Sequence, residues 1–129
     1  MCLEIFGDRW SLLVIRDLML RNFRSYKDLL SSPEGIATNI LADRLSRLEE
    51  AGIITSRRDP EDRRRLLYLL TAKGIDLAPV LLEMARWSTK HEGARPPPAM
   101  LELIRTNRFV REAHRHWKNQ SLPPLLDLP

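Results

Sequence analysis

The sequence has a single cysteine, Cys2, among 129 residues. One chain can therefore form no internal disulfide and no zinc site built on two or four cysteines. Glycines number five and aromatics reach 6%. There is no phosphate-cradling glycine loop, no cluster of metal-ligand residues and no nucleophile motif, so enzyme classes find little to work with. All three histidines lie at position 91 or later, far along the chain from Cys2, the one thiol they could activate. No uninterrupted apolar run approaches the length of a membrane span. Glu4, Asp8 and Arg9 interrupt any signal-peptide core. The expectation is a soluble cytoplasmic protein with no cofactor, no metal and no membrane partner.

What is present is a core and a basic bias. A hydrophobic share of 43% suffices for one packed domain with a terminal appendage. The net charge is +4, the sequence pI is near 9.7, and the basic residues are mostly arginine. The planar guanidinium fork suits phosphates and guanine edges, a weak pointer to a polyanionic partner.

Along the chain, residues 3–7 read as a short helical turn ended by Gly7. Asp8 is placed to cap an apolar helix over residues 9–20. Ser25 can cap a short helix, YKDLL, closed by a turn that contains Pro33. Thr38 then stands at an N-cap position, and its helix runs to about Ala51 with Gly52 as the C-terminal stop. Leu41, Leu45 and Leu48 share one side of that helix, while Asn39, Asp43, Ser46, Arg47 and Glu50 fall on or near the other. Two strand-like runs follow, IITSRR and RRLLYLL, around Asp59-Pro60-Glu61-Asp62. Arg57, Arg58, Arg63, Arg64 and Arg65 crowd the shoulders of this hairpin. They make either a phosphate-facing finger or a solvated turn in which Asp59, Glu61 and Asp62 pair with them. Tyr68 and Leu70 face the core side of the second strand, and Leu67 and Leu69 face away from it. Thr71 caps a helix from Ala72 to about Lys90, with a kink or early break at Pro79. Residues 93–129 comprise a Pro-rich linker, an amphipathic helix and an apolar tail broken by prolines.

The fold class expected is mainly α with a small β-hairpin: a winged helix-turn-helix domain over residues 1–92 plus a C-terminal helical extension. Specific residues carry this further. Cys2 precedes GDRWSLLVIRDL; Tyr26, Asp28 and Leu29 form an aromatic-x-acidic-Leu helix; GIATNILADRLSRLEEAGII spans Gly35 to Ile54; and Tyr68, Leu70, Thr71 and Gly74 complete a Tyr-x-Leu-Thr-x-x-Gly element with Trp87 beyond. Together these resemble the HxlR-type family of bacterial transcriptional regulators over residues 2–90. Leu3 departs from the proline usual there, and the wing sequence DPEDRRR resembles that of the related MarR family.

The resemblance implies a homodimeric regulator of double-stranded DNA. Thr38 and Asn39 would lie nearest the base edges, with Asp43, Arg44 and Arg47 further along. Asn39 suits adenine, Arg47 suits guanine or phosphate, and Asp43 accepts from cytosine or orients an arginine. The wing, residues 57–65, would meet the backbone or minor groove. Dimer contacts are expected from the first segment and the helices after Thr71, with Leu81, Met84, Trp87, Leu103, Val110 and Trp117 as apolar candidates. Cys2 is either a sensor of an oxidant or small-molecule effector or a small apolar residue packed in the N-terminal segment. Glu112 and His116 at i, i+4 are better read as solvated side chains than as a metal site. The alternative to DNA binding is a winged-helix protein–protein interaction module, which the acids Asp43, Glu49 and Glu50 would suit.

Overall fold

The computed structural model describes residues 2–93. The expected apolar positions Leu103, Val110 and Trp117, and the rest of the C-terminal extension, lie outside the described residues. The central element is α2 (Arg9–Leu20), preceded by the short α1 (Cys2–Phe6). The Asp8 carboxylate caps α2, accepting from the backbone N–H of Trp10 at 2.9 Å and of Ser11 at 3.1 Å. That satisfies two donors which a helix start leaves unpaired. Val14, Ile15, Leu18 and Met19 of α2 are buried. They share one core with Leu29 of α3 (Tyr26–Leu30) and Leu41, Leu45 and Leu48 of α4 (Thr38–Glu50).

Ser25 starts α3 as expected, in a reciprocal cap. Its hydroxyl accepts from Asp28 N–H at 3.1 Å, and the Asp28 carboxylate accepts from Ser25 N–H at 3.1 Å. The start of α4 differs by one residue from the expectation. Ala37 occupies the N-cap with no side-chain hydrogen bond, and Thr38 is the first helical residue. The helix is positioned from outside instead. Ile36 is buried, and the Tyr26 hydroxyl donates to the Thr38 carbonyl at 2.9 Å. At the other end Gly52, at φ +74°, takes the left-handed conformation. The N–H groups of Ile53 and Gly52 then return to the carbonyls of Leu48 and Glu49, at 2.9 and 3.0 Å, a Schellman stop.

The hairpin pairs β1 (Ile54–Arg58) with β2 (Leu66–Leu70) antiparallel, from Ile54↔Leu70 to Arg58↔Leu66. The outer edge of β2 is also bonded: Tyr68 N–H donates to the Arg24 carbonyl at 2.6 Å, and Leu67 bridges Ser25. The segment entering the helix-turn-helix thus acts as a third strand. Leu70 is buried and Tyr68 packs on the core, while Leu67 and Leu69 are partly covered.

The helix expected from Ala72 to about Lys90 is two helices, α5 (Ala72–Ile75) and α6 (Ala78–His91). Pro79 would clash with the carbonyl four residues before it, that of Ile75, so the first helix ends there. Within the first turn of α6 the missing proline N–H leaves no bond unmade. Thr71 caps α5 through Gly74 N–H at 3.1 Å.

A polar cluster ties α2 to the turn before α4. Arg16 donates to both Glu34 oxygens, at 2.7 and 3.1 Å, and to the nearly buried Asp17 at 2.8 Å. Ser32 donates to Glu34 at 2.6 Å. The hydrogen bonds from Arg16, then that from Ser32, hold the Glu34 carboxyl down at about 2 instead of its ordinary 4.5. A depressed carboxyl stabilises the fold above its unfolded value and loses that contribution as pH falls through the folded one. The stability gap between wild type and Glu34→Gln should therefore be full above about pH 5 and shrink towards pH 2. Urea unfolding across that range measures it, and a constant gap would show that the cluster contributes no pH-linked stability.

Candidate nucleic-acid interface

The leucine stripe of α4 turns inward, which leaves Thr38, Asn39, Ala42, Asp43, Ser46, Arg47 and Glu50 exposed along the opposite side. The exposed face is mostly polar, as a helix that meets base edges would need to be. Both ends of the helix are held by neighbours: Tyr26 bonds its first residue, and three groups after β2 cover its exit. Thr71 donates its hydroxyl to Gly52 and Ile53 carbonyls at 2.5 and 3.1 Å, Thr71 N–H donates to Ile53 at 3.0 Å, and Lys73 donates to Ala51 at 2.8 Å. Carbonyls at a helix end need such partners. The Thr-x-x-Gly element is legible in the sequence, but this bonding role is not, because it joins chain segments about twenty residues apart.

The charged residues of α4 are not independent. Arg44 is largely covered, its side chain 19% exposed, and donates to Asp8 at 3.1 Å and to Asp43. Asp43 also pairs with Arg47 at 3.2 Å, one helical turn on. Arg47 is the outermost of these, with 62% of its side chain exposed. Asp43 is thus paired with two arginines on its own helix. That pairing also offsets its negative charge; Glu49 and Glu50 stay exposed.

In the wing two acids, Asp59 and Asp62, shape the loop, and Asp59 turns inward. Asp59 is buried; its carboxylate accepts from Glu61 N–H at 2.9 Å and from Arg65 at 3.1 Å. Asp62 accepts from Arg64 N–H at 3.1 Å and from its side chain at 3.3 Å. Arg58 donates to the Arg63 carbonyl at 3.3 Å. Arg57 is half-buried. Arg58, Arg63, Arg64 and Arg65 stay exposed, Arg64 by 93% and Arg65 by 53%. Arg64 and Arg65 each pair with an acid of the loop and still present most of the side chain to solvent.

On α6, Leu81 is partly buried against the core, while Met84 and Trp87 are 49% and 57% exposed. Between α2 and α6 runs a groove of about 590 Å³, walled by Leu12, Leu13, Leu20, Leu81 and Met84. Cys2 is the first residue of α1. No helix among the described residues is long and apolar enough to cross a membrane.

Three comparisons bear on this arrangement. A family model described as HxlR-like helix-turn-helix matches residues 5–95. YvaP of Bacillus subtilis (strain 168), an HTH-type transcriptional regulator, is 31% identical over 67% of this chain and 80% of its own length. YodB of the same organism, also an HTH-type transcriptional regulator, is 33% identical over 66% and 75%. The reduced form of YodB superposes with a TM-score of 0.59 at 29% identity, over 70% of this chain and 87% of that one. A MarR-family structure from Porphyromonas gingivalis W83 gives a TM-score of 0.62 at 28% identity, with the same coverage. Some matched proteins are longer: the chain spans 59% of one curated relative and 64% of one solved structure.

Proposed function

The chain belongs to the HxlR-like helix-turn-helix family, and from that premise we propose that it is a transcriptional regulator that binds double-stranded DNA as a homodimer. The observation that carries the proposal is the outward face of α4, polar along its length and anchored at both ends, with an arginine-bearing hairpin following it. In this reading α4 enters the major groove with Thr38 and Asn39 foremost, where the N-terminal residues of a recognition helix meet base edges. Arg47 reaches a guanine or a phosphate, and Arg63 and Arg64 touch the sugar–phosphate backbone or minor groove. A second copy on a palindromic site doubles the contacts, with half-sites about 34 Å apart. The α2–α6 groove and the exposed Met84 and Trp87 support α6 as part of the dimer contact.

The deciding experiment is a titration with random duplex DNA at low and moderate salt. Micromolar, strongly salt-dependent binding is expected. No binding at low salt would move the reading to a protein-binding winged helix. Replacing Arg63 and Arg64 together by alanine should weaken binding to every sequence and lower the salt slope by about 2, near one unit per lost phosphate contact. An unchanged slope in a gel-shift series would take the wing out of the interface.

Regulation by an oxidant or electrophile at Cys2 is a second reading. Its support is that YodB has been crystallised in reduced, diamide-treated and quinone-bound forms. Diamide should release DNA from wild type and leave Cys2→Ser bound; equal responses of the two would end the idea.

A further inference from the structure

Asp8 caps α2 and lies outside the recognition helix, yet it accepts a hydrogen bond from Arg44, 36 residues away in sequence, at 3.1 Å. From there alternating charges follow one another, Asp8, Arg44, Asp43 and Arg47, and exposure rises from Arg44 onward. Side-chain exposure is 19% at Arg44, 49% at Asp43 and 62% at Arg47. The run therefore starts at the junction of α2 with α4 and ends on the face offered to DNA. Arg47 meets Asp43 through its Nε at 3.2 Å, and its side chain is the most exposed of the run. An exposed guanidinium is what a bidentate contact to guanine requires.

We propose that Asp8 is a specificity-determining positioning residue: by holding Arg44 back against α2 it sets how Asp43 presents the Arg47 guanidinium to a base. The inference rests on the DNA-binding reading of α4. Its physical basis is competition. Asp43 takes a hydrogen bond from one guanidinium group and pairs with a second, and Asp8 fixes the first in place. Without Asp8, Arg44 is released to shift further onto Asp43, and the Asp43–Arg47 geometry changes with it. The ionisation of the pair agrees. The hydrogen bond to Asp8 is the largest influence on Arg44 and raises it. Burial pushes the Asp8 carboxyl up, but hydrogen bonds from Arg44 and Ser11 outweigh it and leave the group below its ordinary value.

Two substitutions separate this role from capping. Asparagine and serine are both good N-caps, so Asp8→Asn and Asp8→Ser keep α2 started. Asparagine gives up the charge facing Arg44, and serine is also too short to reach it. Selection from a randomised duplex library, followed by sequencing, reads base preference position by position. Wild type should show a preferred base at the step met by Arg47. Asp8→Asn should reduce that preference, and Asp8→Ser should reduce it by about tenfold, the scale of one good bidentate contact. Affinity for random duplex and its salt slope should stay at wild-type values in both. Arg44→Gln should give the same loss, and the Asp8→Ser/Arg44→Gln double variant no further loss, since residues acting as one unit are not additive.

An unchanged base preference in both Asp8 variants would overturn the inference. So would a uniform loss of affinity accompanied by a lower melting temperature, which is what capping alone produces. The wild-type arm reports on the underlying reading separately. If wild type binds no duplex, that reading fails and the inference fails with it; if wild type binds and selects but the variants select equally, the inference fails alone.

Discussion

Replacing Met84 and Trp87 together by glutamate should leave the domain folded while lowering affinity for a specific site by two to four orders of magnitude. Both side chains are about half exposed, so neither contributes much to the intrachain core. Trp87 contacts the His91 ring, 5.2 Å away on the same helix, and Met84 borders the α2–α6 groove. An apolar strip left open on a helix in this way is suited to contact with another surface. In the proposed dimer that surface is a second copy's, and two charges placed there would be buried without partners. Losing the dimer turns a two-site attachment into a one-site attachment, and linked binding commonly exceeds single-site binding by 10²–10⁴. Light scattering reports the oligomeric state and a gel shift on a selected duplex reports affinity. A variant that stays dimeric and binds normally would remove α6 from the interface.

The second large effect is on stability. Gly74 lies in α5 against the turn after α4, and a Cβ at that position would sit 2.2 Å from the Ile53 carbonyl oxygen. The obstacle is backbone, so it cannot swing aside as a side-chain tip would. The same carbonyl accepts from Thr71 N–H at 3.0 Å and from its hydroxyl at 3.1 Å. Gly74→Ala must therefore push α5 away from the turn after α4 and loosen the bonds that close that turn. Overpacking a tight site costs about 1–3 kcal/mol or more. With about 4–8 °C per kcal/mol for a domain of this size, the melting temperature should fall by roughly 10–20 °C. DNA binding should decline with it, because the exit of α4 is what α5 holds. A melt within a few degrees of wild type would mean that the close approach relaxes at little cost.

Much of the architecture was readable from residue patterns. Leucines at 41, 45 and 48 are buried, Asp8 and Ser25 cap their helices, and Gly52 is left-handed. Each depends on neighbours within four residues, and local spacing carries that information. The misplacements have physical causes of another kind. Thr38 has the chemistry of a cap, but Tyr26 and Ile36 set where α4 begins, one residue earlier than the pattern suggested. Pro79 permitted either a kink or a break, and its clash with the Ile75 carbonyl gives a break. The five wing arginines look equivalent as letters. Asp59 and Asp62 make them unequal by taking Arg65 and engaging Arg64.

By itself, then, the sequence determined the order of elements, the inward stripe of α4, its glycine stop and the likeness to the HxlR-type family, because periodicity, caps and motif spacing are local. Only the tertiary structure decided that Arg44 is anchored by Asp8, that Glu34 and Arg16 tie α2 to the turn before α4, and that Gly74 lies against Ile53. Those pairings join segments roughly 18 to 36 residues apart. Composition and spacing offer many partners to a side chain, and only packing brings these particular distant ones within reach.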